Sequence, residues 1–384
     1  MSLSKSNVFF MAAVTGLIVA NLYYGQPLIV LMAQDFGISE SLAGTTTYLA
    51  QAGYAVGMLM MIPLGDKIER KKQIVITSMF AVLALILVAT AKNFVLLQIA
   101  FFLIGMSSIV PQLILPMAVS LSDAKQQGQV IGTVMSGLLI GILISRTVSG
   151  FIGSWLGWRE MFWIAAVIGL ILVVLMWIIL PQNIPVFSGG YKELYKSLWL
   201  LWKEQVVLRE ASWINSLSFA QFGAFWTTMV LLLSATPFEF NSATIGLFGL
   251  VGACGAFAAP LVGKIGGKGN AGMLILAGIV MLLISFGVFY FSQTSVLGMI
   301  VGIVLLDLGL QVVHVSNQTR IYSLLPEARN RLNTVFMSFS FMGTAFGSAF
   351  GLYMWNYFAW TGVCIAGAFL ALLSLILYAL RSSK

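Results

Sequence analysis

Asp307, Gln311, His314 and Gln318 follow one another at intervals of four, three and four residues through a stretch that is otherwise almost wholly apolar. At about 3.6 residues per turn, these four side chains fall on one face of a helix. A polar stripe on an apolar helix belongs against a cavity or another helix. Asp307 is the one carboxylate deep inside an apolar run, and an ionisable group there is expected to work. Three roles are open to it: a proton carrier, a fixed ion pair or hydrogen-bonded latch, or a partner for a cationic ligand. His314, the only histidine, is of a type that titrates near neutrality, and it either relays protons with Asp307 or is simply hydrogen-bonded. Arg146 is the other charge inside an apolar run. A guanidinium keeps its charge in proteins, so it cannot be the proton carrier. It could latch to polar groups of the first span such as Asn21 and Gln26, pair with Asp307, or bind an anionic ligand. Its depth differs from that of Asp307 by about 7 Å at about 1.5 Å per residue, which favours the latch.

The elements that position these groups are long apolar runs. A helix needs about 20 apolar residues to cross the hydrocarbon core, and twelve such segments are predicted: 8–31, 43–64, 73–91, 94–121, 130–153, 160–180, 208–235, 241–262, 271–291, 295–317, 331–355 and 360–380. All exceed the length of a barrel strand, so helices are expected. The chain is 60% hydrophobic and 8% charged, which no soluble core requires. A net charge of +8 would suggest nucleic acid in a soluble protein, but its placement points to topology. With the N-terminus inside, seventeen Lys and Arg fall on the inner side and only Lys92 and Arg159 outside. Both termini are therefore expected in the cytoplasm of a multi-pass cell-membrane protein, with the bilayer and no nucleic acid as partner. Lys5 and the apolar stretch after it are read as a retained first span, for the stretch runs to Leu31 without a small-residue cleavage site.

Cys254 and Cys364 both lie in spans and suggest neither a disulfide framework nor a metal site. Gly263-Lys264-Ile265 and Gly267-Lys268-Gly269 do not complete a phosphate loop. With no HExxH pattern either, an ATP-driven pump and an intramembrane enzyme are both disfavoured, and no cofactor is expected.

Two halves of six spans are visible as a weak internal repeat. Pro63-Leu64-Gly65-Asp66-Lys67 matches Pro260-Leu261-Val262-Gly263-Lys264. Gly141, Ser145, Ser149 and Trp158 match Gly343, Gly347, Gly351 and Trp360, and Asp123-Ala124-Lys125 matches Glu327-Ala328-Arg329. Such symmetry is typical of secondary transporters, whose site lies near the midplane between the repeats. The expected units are an N-terminal bundle (1–180), a linker (181–207) and a C-terminal bundle (208–384). In the linker, Tyr191 to Glu204 has an amphipathic pattern: either a mere tether or a helix on the membrane surface with Trp199 and Trp202 at headgroup depth.

Leu64-Gly65-Asp66-Lys67-Ile68-Glu69-Arg70-Lys71-Lys72, between spans two and three, resembles the signature loop of the major facilitator superfamily, with Ile62 and Glu69 standing where that loop has glycines. The resemblance implies an all-α fold of twelve transmembrane helices in two pseudo-symmetric six-helix bundles around a central cavity. It implies a gating role for Asp66, Arg70 and Lys71, the acid meeting a helix N-terminus of the other half. Gly141-Ile142-Leu143-Ile144-Ser145-Arg146-Thr147-Val148-Ser149-Gly150 is similar to the antiporter motif of the drug/proton antiporter branch, which has glycine and proline where Ser145 and Arg146 stand. Asn21-Leu22-Tyr23-Tyr24-Gly25-Gln26-Pro27 and His314-Val315-Ser316-Asn317-Gln318-Thr319 resemble bacterial inner-membrane efflux members. Phe101 stands where many antiporters of the branch carry a proton-relay arginine.

The superfamily arrangement implies a cavity wall from spans one, four, seven and ten, hence Asn21, Tyr24 and Gln26, then Gln112, then Gln221, Phe222 and Trp226, then Asp307, Gln311 and His314. Aromatic and amide groups with a single acid suit an amphipathic, cationic or neutral organic molecule. The expectation is a monomeric, proton-coupled exporter of small organic molecules driven by the proton gradient. Uptake by symport or facilitation, and a non-transporting membrane sensor, are its rivals.

Overall fold

The structure, a computed structural model, describes residues 4–123, 126–182, 190–252, 271–325 and 328–382, and of Asp66, Arg381 and Ser382 the backbone alone. It is helical, with no strand among the described residues. Nine described helices are long and apolar enough to cross a membrane. One of these, α14 (Arg329–Ser382), carries spans eleven and twelve across a kink at Ala359.

Span one is not the continuous helix its apolar run suggests. It is α1 (Lys5–Ala20), a turn, a 3-10 segment (Gln26–Leu28) and α2 (Ile29–Phe36). Pro27 explains part of the break, since it donates no backbone hydrogen bond and restricts the residue before it. Span two is α3 (Glu40–Met61) and span three α4 (Arg70–Thr90). Span four is interrupted at Ser108 and Ile109, just before Pro111, into α5 (Phe94–Ser107) and α6 (Val110–Ser120). Then follow α7 (Gln127–Trp155), α8 (Trp158–Ile179), the linker helix α9 (Tyr191–Glu204) and α10 (Val206–Ser234). Span eight is described only as α11 (Ser242–Val251). The rest of span eight, Cys254, the Pro260 to Lys264 repeat, the Gly267-Lys268-Gly269 stretch, Ala124, Lys125 and Glu327 lie outside the described residues. Helices α12 (Ala271–Phe291) and α13 (Val296–Tyr322) complete the set.

The repeat read from the sequence is a repeat of packing. A side chain on Gly141 of α7 would strike the backbone of Gly16 in α1, and one on Gly343 or Gly347 of α14 would strike Ser216 or Ala220 in α10. Spans one and five thus meet as spans seven and eleven do, through small residues that let backbones touch. The turns before Trp158 and Trp360 repeat as well. Gly157 has φ 118° and Ala359 φ 48°, a left-handed backbone that suits glycine and strains alanine. Ala359→Gly is expected to raise stability by about 1 kcal/mol, relief of strain exceeding the added unfolded-state entropy. A thermal unfolding midpoint no higher than that of the parent would refute this.

Helix α9 packs by one face. Leu198 and Leu201 are buried in a cluster with Leu208, Ile321 and Phe336. Trp202, on that same face, stacks on Phe339 at 4.2 Å between ring centroids, while Trp199 is 64% exposed. The two indoles therefore face different surroundings, because residues four apart such as Leu198 and Trp202 share the protein-facing stripe and the intervening Trp199 turns away. The Tyr195 hydroxyl donates to the Met60 carbonyl at 2.6 Å, and Lys67 sits 3.9 Å over the Tyr191 ring. The linker helix thus touches both halves, on the face where the chain termini lie. Lys92 and Arg159, the two cations expected on the opposite face, are both there. Arg159 pairs with Asp35 at the end of α2 and donates to the Ala91 carbonyl at 2.8 Å.

Candidate functional site

Between the halves lies a cavity of about 230 Å³. Its inner end is made by Arg146 of α7, Trp226 of α10 and Asp307 of α13, and its other end, toward the terminal face, by Tyr322 and Asn333. All four members of the polar stripe, Asp307, Gln311, His314 and Gln318, line it. Followed one more turn, the stripe reaches Tyr322, whose hydroxyl donates to Asn333 Oδ1 at 2.9 Å while Gln318 donates to the same oxygen at 3.2 Å.

Arg146 is held by the broken first span. Its Nε donates to Gln26 Oε1 at 2.7 Å, a contact that needs Gln26 turned inward by the 3-10 segment. The guanidinium carbon lies 4.6 Å from the Tyr23 ring centroid and 4.2 Å from that of Trp226. The latch to Gln26 expected from depth is present. Among the described residues no carboxylate lies within ion-pairing distance of Arg146, Asp307 included. Arg146 Nη2, Trp226 Nε1 and Asp307 Oδ2 are buried and make no hydrogen bond of good geometry among the described residues, although the Trp226 indole N–H faces the Asp307 carboxylate. Unsatisfied buried polar atoms are costly, and three gathered at one end of a cavity favour a site shaped for something polar.

The His314 ring sits in a defined network. The Ser340 hydroxyl donates to the Phe336 carbonyl at 2.8 Å, so it accepts from Asn215 Nδ2 at 2.6 Å. The second proton of that amide then points to His314 Nδ1 at 3.2 Å. Nδ1 is thereby an acceptor, which puts the ring proton on Nε2 in this state.

The remaining expected residues divide. Gln112, Phe222 and Trp226 line the cavity, with Gln112 3.4 Å from the Tyr54 hydroxyl. Asn21 and Tyr24 are buried but not in the wall, and Gln26 reaches it only through Arg146. Tyr23 takes the place expected for Tyr24, because the helix ends at Ala20 and helical spacing no longer assigns faces beyond it. Gln221 is fully buried and bonds back to Leu217 in its own helix. Tyr54 and Phe219 are wall residues that the sequence reading missed, and neither carried a signal separating it from ordinary core aromatics. Phe101 packs edge-on to Phe162 and against Gly25, away from the cavity.

At the terminal face, Arg70 Nε donates to the Gly65 carbonyl at 3.1 Å. Arg70 also borders a small cleft shared with Asn330 and Arg331 at the start of α14 in the other half. Lys71 lies 5.7 Å over the Trp177 ring within its own half. The Asp66 side chain is outside the described residues. At the opposite face the halves are joined: Thr147 donates to the Gly246 carbonyl at 3.0 Å and the Ala243 amide to Ser154 at 3.0 Å.

Twelve spans in two like halves, a cavity between them with charged groups at its inner end and a closed far end fit a membrane transporter. The Major Facilitator Superfamily model matches residues 8–330, and the chain belongs to that family. It is 39% identical over 376 residues, 98% of its length and 95% of the other's, to the uncharacterized transporter YgaY of Escherichia coli O157:H7. It is 23% identical over 90% of its length, and 88% of the other's, to a Helicobacter pylori (strain P12) protein named as a sugar efflux transporter. Its fold matches a bacterial homolog of the human lysosomal transporter Spinster in an inward-facing, occupied conformation, with TM-score 0.76, 14% identity, and 98% and 96% of the two chains covered.

Proposed function

We propose that the protein is a proton-coupled antiporter that exports small organic molecules from the cytoplasm by alternating access. The observation that carries this reading is Asp307, a buried carboxylate in the cavity wall with Oδ2 unpaired beside a guanidinium latched to another group. A carboxylate so placed can hold either a proton or a cargo group, and opening the cavity to alternate sides lets it exchange one for the other. The terminal face, which carries nearly all the Lys and Arg, is cytoplasmic by the positive-inside rule. A cavity that runs toward that face while the far end is joined is poised to load from inside. Export is favoured by the efflux function in the name of the Helicobacter pylori relative. In this reading the bundles of residues 1–180 and 208–384 rock against each other in a monomer, the 181–207 linker spans them, and the proton gradient is the sole energy source. Asp66 and Arg70 form part of the cytoplasmic gate.

The test is proton movement in energised inside-out vesicles, read with a pH-sensitive dye as a compound panel is added. A compound that triggers proton efflux through the parent protein is expected to give, with Asp307→Asn, only the response of empty vesicles. Flux of a labelled compound that moves no protons and survives in the variant would overturn the reading.

A further inference from the structure

We infer that the cargo is a small organic zwitterion, its carboxylate held by Arg146 and its ammonium by Asp307. The inference rests on the cavity being the transport site, as proposed above. Both charges are more than nine-tenths buried, at 3% and 6% exposure. Each keeps an unpartnered polar atom, Nη2 on one and Oδ2 on the other, and they do not pair with each other. Two opposite charges that line one cavity yet stay apart are an uncommon arrangement, since each is stranded in low dielectric until something bridges them. The indole of Trp226 stands beside both: its ring lies under the guanidinium, and its Cζ2 and Asp307 Oδ2 flank the space left by the missing side chain of Gly252. A Cβ on Gly252 would come 2.7 Å from Oδ2, so any side chain there would crowd the carboxylate that a cargo group must reach.

Among the described residues, the other groups facing this end are neutral. Tyr23 and Gln311 complete the wall near the charges, and His314 carries its proton on Nε2. The site therefore offers one positive and one negative charge that attract each other across the cavity without closing into an ion pair. An anion would satisfy Arg146 and strand Asp307, and a cation would do the reverse. A neutral sugar would hydrogen-bond both groups but bring no opposite charge to either, so the two buried charges would stay unneutralised. The walls between, Tyr23, Trp226 and Phe222, suit a short apolar or aromatic body joining the two ends. A proton on Asp307 removes the partner of the ammonium, so cargo and proton compete at one oxygen.

The test is equilibrium binding to the full chain in lipid nanodiscs with no gradient, using radiolabelled phenylalanine and 6-aminohexanoate. The competitors are their single-charge relatives, phenethylamine, 3-phenylpropionate, hexylamine and hexanoate, together with glucose. At least one zwitterion is expected to bind and to be displaced about 10- to 100-fold less effectively by its single-charge relatives and by glucose, the range that one lost charged hydrogen bond gives. Asp307→Asn is expected to abolish that preference, so that 3-phenylpropionate competes as well as phenylalanine. Gly252→Ala, which leaves both charges in place, is expected to weaken zwitterions while sparing 3-phenylpropionate. Equal competition by single-charge compounds or glucose in the parent protein, or no binding of either zwitterion, overturns the inference. Failure of antiport reads differently: zwitterions would still bind with this selectivity, but their flux in vesicles would move no protons.

Discussion

Gly105→Val is expected to leave no folded protein in the membrane, whereas Gly246→Val is expected to leave a folded protein held in a different conformation. A side chain at Gly105 of α5 would fall on the Ala50 carbonyl and the Tyr54 amide of α3. Both helices belong to one half, and the contact is backbone against side chain with no flexible end to yield. Overpacking by a methylene or so costs about 1–3 kcal/mol. Three carbons forced into backbone exceed that, against a total stability of about 5–15 kcal/mol. Against 1.9 Å for the Ala50 carbonyl at Gly105, the obstruction at Gly246 is also backbone but less tight, with the Arg146 carbonyl at 2.6 Å and Thr147 Cα at 3.2 Å. Those atoms lie in the other half, so parting α7 from α11 relieves the clash at the cost of two interhelical hydrogen bonds. A bias of about 2 kcal/mol toward the parted state moves the conformer ratio by about 30-fold. Spin labels at the far ends of α2 and α11 should show a longer distance in Gly246→Val. An unchanged distance, or loss of folded protein equal to that of Gly105→Val, would sink the idea that this contact opens in the transport cycle.

The second large effect concerns Arg146. Replacing it with Met removes the donor to Gln26 and the ring contacts to Tyr23 and Trp226, and leaves Gln26 Oε1 buried and unpaired. A stranded acceptor costs about 1–3 kcal/mol, and each desolvated cation–ring contact adds about 1–2 kcal/mol. Arg146→Met should therefore lower stability by about 3–7 kcal/mol and abolish flux. Arg146→Lys should recover only part of either, because an ammonium cannot both stack flat and reach the amide. The informative variant is the double change, Gln26→Leu with Arg146→Met. Removing both partners of a buried polar pair is much less costly than removing one, so stability should return toward the parent while transport stays absent. Unfolding midpoints that simply add would show that the two residues are not coupled.

The residues differ in how much of their role could be read in advance. Asp307, Gln311, His314 and Gln318 sit on a long, unbroken helix, so spacing alone placed them on one cavity face. Gly343 and Gly347 were legible as a repeat of Gly141 and Ser145, but that each set is a close helix contact came from the packing. Tyr23 and Gln26 could not be placed this way. They lie where α1 has ended and the chain turns before Pro27, and once the helix stops, the phase linking sequence position to direction is lost. Gln221 shows the opposite error: an amide on an unbroken helix read as cavity-facing, although it bonds to its own backbone.

The sequence by itself determined the membrane environment, the number of spans, the two-half layout and the stripe on α13, because these follow from hydropathy and helical period, which are local properties of the chain. Only the tertiary structure decided which polar groups meet. That Arg146 latches to Gln26 rather than to Asp307, that Tyr54 and Phe219 enter the wall, and that Trp226 stands beside both buried charges depend on contacts between helices distant in sequence. No local period encodes such contacts, for they are set by how two whole bundles pack across the cavity.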